Sequence, residues 1–191
     1  MKNIFILIII FSFNFQGCKT TKTVADKKNQ VPEKQVVKAE APKGVNFSEQ
    51  TTWILGYFNP AQLAREPYDV WYTKGFDTYL PNSASMNMLL DKDYSSLSIK
   101  VVMGTWCPDS RREVPRFMKI LDIWQFPTTK ITFIGVDNAK LSPVGEYNSL
   151  DIQRVPTFII YKNNIEAGRI IENPTTSLEQ DIVNILKRNE K

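Results

Sequence analysis

The chain has 191 residues, with 24 Lys or Arg against 20 Asp or Glu, two cysteines and no histidine. That length suits one domain with additions, and an apolar fraction of 42% is enough to build a core. The absent histidine excludes a Ser-His-Asp triad and an H-E-x-x-H zinc helix, two cysteines exclude a cysteine-rich zinc site, and neither G-x-G-x-x-G nor a Walker loop occurs. Carboxylate chemistry, cysteine chemistry or binding alone remains, with no metal and no cofactor expected.

Lys2 precedes an apolar run, Ile4 to Phe11, that fades by Asn14. A permanent spanning helix needs about 20 apolar residues, so residues 1–17 read as an export signal. The segment ends Phe15-Gln16-Gly17-Cys18. A small residue just before the first cysteine resembles a bacterial lipobox, with Phe15 in place of the usual leucine and Gln16 in place of the usual small residue. The resemblance implies a lipid on Cys18 and a membrane-anchored protein of the bacterial cell envelope. An ordinary signal peptide, or a signal anchor with an incidental cysteine, is the alternative. Lys19 and Thr20 follow Cys18 without an acidic residue, which points to the outer membrane, facing the periplasm.

Residues 18–46 read as a disordered tether. Seven lysines between Lys19 and Gly44 meet only Asp26, Glu33 and Glu40, with no aromatic residue and no apolar period. Without Lys2 and this stretch the chain carries 16 basic and 17 acidic residues. The basic character therefore belongs to the tether, and a nucleic-acid partner is not expected.

The domain is expected over 47–191. Residues 47–97 read as a helical extension, rich in aromatics and divided by Pro60, Pro67 and Pro81. Asp91-Lys92-Asp93 opens like a calcium loop but lacks its sixth-position Gly and twelfth-position Glu. The core, 98–191, alternates. Ser98 to Met103 is a strand, and Ser110 to Trp124 is a helix with Val114, Phe117, Met118, Leu121 and Trp124 on one face. Lys130 to Val136 is a second strand. Thr157 to Tyr161 and Ile165 to Ile171 form a hairpin through Lys162-Asn163-Asn164. Ser177 to Arg188 closes the chain as an amphipathic helix. This order predicts an α/β fold, a mixed central sheet with helices on both faces.

Cys107 falls between the first strand and the helix. Free backbone N–H groups and the helix dipole favour an anion there, hence a reactive thiolate. Arg111 and Arg112 add positive charge one turn on, Asp109 opposes them, and Pro108 costs no hydrogen bond at the first helical position. A small thiol that merely packs is the alternative.

Trp106-Cys107-Pro108-Asp109-Ser110 resembles the Trp-Cys-x-x-Cys site of the thioredoxins, with serine in the last place. Pro115 matches the proline that kinks the family's active-site helix. Val155-Pro156-Thr157 matches its cis-proline loop. The resemblance spans residues 98–189 and implies a thioredoxin-like fold. It implies Cys107 as nucleophile with Ser110 in the resolving position, Trp106 shielding the thiol, and Arg154, Val155 and Pro156 as a substrate groove. The chain departs from the family where Ser110 replaces the resolving cysteine. Val101 stands where the family has a buried acid, and Glu172 where it has a glycine after the last strand.

Two functions follow from these residues. One is single-thiol exchange with protein or small-molecule thiols and disulfides: isomerisation, mixed-disulfide capture or deglutathionylation. The envelope is where disulfides persist. The other is a redox-inactive binding module on a retained scaffold. A thiol peroxidase fits poorly, because Thr105 is only two residues before Cys107, where that family has Thr-x-x-Cys.

Overall fold

The computed structural model describes residues 53–188. Cys18, with the signal segment and tether expected around it, lies outside the described residues.

Five strands make one sheet: β1 (Gly56–Phe58), β2 (Leu97–Met103), β3 (Ile131–Gly135), β4 (Thr157–Lys162) and β5 (Ile165–Ile171). Their spatial order is β1-β3-β2-β4-β5. Only β2 and β3 run parallel; the other neighbouring pairs are antiparallel. Four α-helices accompany them: α1 (Asp69–Thr78), α2 (Ser83–Leu90), α3 (Pro108–Ile123) and α4 (Leu178–Arg188). The parallel pair needs a crossover, and α3 supplies it. The β4–β5 hairpin has a two-residue loop, Asn163 and Asn164, with φ of 52° and 65°. Two left-handed residues in succession make a type I′ turn, whose twist matches the flanking strands and which asparagine tolerates.

The strand pleat sorts the interior into two layers. Ile99, Val101 and Met103 of β2, with Phe133 and Phe158 beside them, join the larger core. Val102, Ile134 and Ile159 point to the opposite face. All four α-helices contribute to the larger core, and Phe117 of α3 stacks on Phe158 with ring centroids 4.1 Å apart. The opposite face is covered by a loop carrying one 3-10 turn, Tyr147–Leu150, through Tyr147 and Leu150. Among the described residues, helices on both faces are therefore present only in reduced form, four α-helices on one side and a single 3-10 turn on the other. Residues 137–156 contain Pro143 and Gly145 and lack a 3.6-residue apolar period, so no α-helix forms there.

The helical extension expected over 47–97 also needs correction. Gly56–Phe58 is the edge strand β1, paired with Gly135, Ile134 and Phe133. Three residues are too few to show a strand period. The segment that follows is no appendage either. After a 3-10 turn, Pro60–Ala64, come α1 and α2, and Leu63, Met86 and Leu89 lie in the same core as the sheet.

Two local devices set α3. Its start has Pro108 in the first turn, and its end is a Schellman motif. Gln125 adopts φ 58°, and the Phe126 and Gln125 N–H groups donate to the Leu121 and Asp122 carbonyls. Pro115 sits inside the helix and meets Gly75 of α1, where a Cβ would stand 2.6 Å from the proline Cγ. Glycine here lets α1 close onto the proline.

Candidate functional site

Cys107 caps α3. Its φ and ψ are −77° and 124°, its N–H donates to the Gly104 carbonyl, and its own carbonyl accepts the Arg111 N–H. The side chain is 6% exposed. Its Sγ lies 3.3 Å from the Val155 carbonyl oxygen, to which the thiol donates. This contact spans 48 residues of sequence and joins the start of α3 to the loop before β4. The Val155–Pro156 peptide is cis, as the resemblance implies, and so is Glu66–Pro67, which nothing in the sequence flags.

The loop that receives the thiol is fastened on both sides. The Thr157 hydroxyl donates to the Arg154 carbonyl at 2.6 Å, and the Glu172 N–H donates to the Pro156 carbonyl at 2.7 Å. Glu172 has φ 61°, so the position the resemblance assigns to glycine does adopt the left-handed backbone that favours it. The Glu172 side chain then accepts from Arg154 at 2.6 Å. That hydrogen bond, and the carboxylate charge behind it, raise the Arg154 guanidinium above its ordinary pKa.

On the other side, the indole N–H of Trp106 donates to the Val136 carbonyl at 3.0 Å, and its ring tilts against Trp53 with centroids 6.4 Å apart. Trp106 lies over Gly104, where a Cβ would come within 2.5 Å of the indole. Ser110 is fully buried, and its hydroxyl oxygen accepts the Gly104 N–H at 3.3 Å. The serine thus ties the turn before Cys107 to the first turn of α3.

The two arginines of that turn do different work. Arg111 reaches back, donating from Nε to the Thr105 carbonyl at 2.6 Å. Arg112 donates to Glu113 at 2.6 Å, to Asp109 at 2.7 Å, and to Asn173. Its pKa is raised, first by the hydrogen bond to Glu113. Val101, where the resemblance implies an acid, is fully buried in the sheet.

Of the residues singled out in the sequence, Trp106, Cys107, Pro108, Asp109, Ser110, Arg111 and Arg112 at the start of α3 and Arg154, Val155 and Pro156 before β4 are brought together through the Cys107–Val155 contact. Sequence reasoning misses Glu172 as the partner of Arg154, and Asn173 as the partner of Arg112. It also misses Glu113, buried in α3, whose carboxylate holds Arg112 at 2.6 Å and Arg116 at 3.1 Å. Charged residues at i+1 and i+3 give no sign in sequence of which one turns inward. Among the described residues, no group of three or more His, Cys, Asp or Glu side chains could hold a metal ion, and no helix is long and apolar enough to cross a membrane.

No family model matches the chain, and no curated protein matches it. Among solved structures it is similar to the 1.5 Å crystal structure of a protein of unknown function from Pseudomonas aeruginosa. The two share 15% identity with a TM-score of 0.46, over 63% of this chain and 82% of that one.

Proposed function

We propose that this is a thioredoxin-like protein of the bacterial cell envelope, held to the membrane by a lipid on Cys18, that carries out thiol–disulfide exchange through Cys107 alone. The observation that carries the reading is the approach of the Cys107 sulfur to the Val155 carbonyl, 3.3 Å, at the first turn of a helix. A sulfur there has the first N–H groups of the helix on one side and the peptide segment Arg154 to Pro156, exposed at Arg154 and buried at Val155 and Pro156, on the other. A disulfide laid along that segment would present a sulfur to Cys107. Ser110 leaves the mixed disulfide without an internal resolving thiol, so release depends on a second thiol from the substrate or from solution. This suits isomerisation, capture or deglutathionylation better than bulk reduction.

The experiment compares the native protein, Cys107→Ser and Ser110→Cys in a Cys18→Ser background. Native Cys107 accumulates reductant-sensitive adducts with a denatured disulfide substrate and turns over little with dithiothreitol. Cys107→Ser accumulates none. Ser110→Cys, nearly isosteric, gains turnover, because the added thiol attacks the mixed disulfide. If Ser110→Cys forms its internal disulfide yet reduces nothing, the Arg154–Pro156 segment is not a substrate site.

One observation favours a second reading, a binding module without redox chemistry. Cys107 is only 6% exposed, and its thiol already has an acceptor. In that case native protein forms no adducts, and Cys107→Ala leaves partner binding intact.

A further inference from the structure

We propose that the disulfides this site accepts carry a carboxylate a few bonds from the sulfur, and that Arg154 is the group that recognises it. The inference rests on the thiol-exchange reading and adds the substrate class to it.

Four guanidinium groups stand on the segments around Cys107. Arg111, Arg112 and Arg116 belong to α3, and Arg154 immediately precedes the residue whose carbonyl receives the thiol. Three carboxylates answer them. Asp109 and Glu113 bind Arg112, Glu113 also binds Arg116, and Glu172 binds Arg154. Arg111 donates to the Thr105 carbonyl, and among the described residues no carboxylate pairs with it. Arg111, on the first turn of α3, is thus the guanidinium of the four that faces a carbonyl and not a carboxylate.

Arg154 is the member of this set best placed to meet a ligand. Its side chain is 66% exposed, against 41% for Arg112 and 38% for Arg116. Among the described residues, only Nη1 is engaged, by Glu172 at 2.6 Å. A guanidinium offers five donors in a planar fork that fits a carboxylate through two parallel hydrogen bonds, so a second carboxylate can join on the free side. Arg154 is also fastened at its backbone, by the Thr157 hydroxyl on its carbonyl, which fixes where the side chain leaves the loop. Arg154 directly precedes Val155, whose carbonyl the thiol reaches, so its exposed side chain stands beside the approach to Cys107 over this loop. Glu172 keeps the guanidinium in place when the site is empty and opposes an incoming anion.

The chemical step is ordinary exchange. The thiol of Cys107 gives its proton to solvent, and the thiolate attacks one sulfur of the substrate disulfide. A new S–S bond forms as the old one breaks, and its electron pair leaves on the second sulfur, which takes a proton from water. Cys107 is oxidised to the mixed disulfide and the departing sulfur is reduced to a thiol.

The test uses the full chain with Cys18→Ser, so that one thiol remains. Two chromogenic disulfides are compared: dithiobis(nitrobenzoate), which carries two carboxylates, and dithiodipyridine, which is uncharged at neutral pH. The reading is the ratio of second-order rate constants for the anionic over the neutral probe, which refers each variant to its own thiol. Arg154→Gln lowers the ratio about three- to fivefold, and Glu172→Gln raises it by a similar factor, as expected for exposed charge contacts. Arg154→Lys keeps part of the preference, because it keeps the charge and loses the fork. Salt near 0.5 M compresses the native ratio toward that of Arg154→Gln. Opposite responses of the two neutralising variants cannot come from a damaged fold. If both probes react but Arg154→Gln leaves the ratio unchanged, the carboxylate preference is wrong while thiol exchange stands. If neither probe reacts with native Cys107, thiol exchange fails and the substrate class falls with it.

Discussion

Replacing Gly104 by alanine puts a methyl group where the Trp106 indole lies. A Cβ on Gly104 would stand 2.5 Å from both Cε2 and Nε1 of the indole and 3.0 Å from Cζ2. The backbone of Gly104 is outside the left-handed region, so alanine is accepted there and the contact alone is the cost. The indole cannot step aside freely. Its Nε1 is bonded to the Val136 carbonyl at 3.0 Å, and the Trp53 ring lies beside it. Overpacking a filled site costs about 1–3 kcal/mol. Losing the indole hydrogen bond adds about 1 kcal/mol. The total, about 2–4 kcal/mol, lowers the melting temperature of a domain this size by roughly 5–15 °C. Urea and thermal unfolding measure the loss, and tryptophan emission reports the displaced indole. Alkylation of Cys107 quickens at the same time, because the displaced ring packs against the cluster that holds the thiol. In a Trp106→Ala background the same substitution costs less than about 0.5 kcal/mol, since the clash has no partner. Native stability with unchanged emission in Gly104→Ala would refute the packing of Trp106 on this glycine.

Tyr72 supplies a pH-dependent prediction. Burial, and then Asp122, push its hydroxyl from 10 up to about 12. A raised folded-state pKa means its contribution is complete below about pH 10 and is lost as pH climbs toward 12. Urea midpoints measured between those limits fall with pH in the native protein, and fall less steeply in Tyr72→Phe. Cys18→Ser tests the anchor. Native protein enters the detergent phase on phase separation, whereas the processed serine variant stays in the aqueous phase; a processed variant still in detergent excludes the lipid at that position.

Much of the core architecture was legible because its signals are local. The helix over Ser110 to Trp124 shows in five apolar residues at helical spacing, and all five are buried. The β4–β5 hairpin shows in two strand-like runs separated by two asparagines, whose tolerance of positive φ is a property of the side chain itself. Cys107 could be placed at a strand-to-helix turn, since a β-rich run, a proline and a helical period follow one another within a dozen residues. The Val-Pro-Thr segment could be paired with that cysteine only by resemblance, because no local rule connects residues 48 apart.

What the sequence could not determine is set by long-range contact. Gly56–Phe58 is a strand because β3 offers it an edge, not because three residues prefer to be extended. The reach of Gly135 toward the Ile54 carbonyl, where a Cβ would come within 2.1 Å, exists only once that edge is occupied. On the second face, Tyr147 and Leu150 of a 3-10 turn join the cluster of Val102, Ile134 and Ile159, a contact that no local pattern announces. The partners of the arginines were equally hidden. Arg154 meets Glu172 across 18 residues, and Arg112 meets Asn173 across 61. A charged side chain carries no periodic mark of its partner, and several carboxylates compete for each guanidinium along the chain. By itself the sequence determined which segments fold and where a thiol meets a helix. The tertiary structure alone decided what surrounds that thiol, because burial and charge pairing depend on distances that only the packed sheet and helices define.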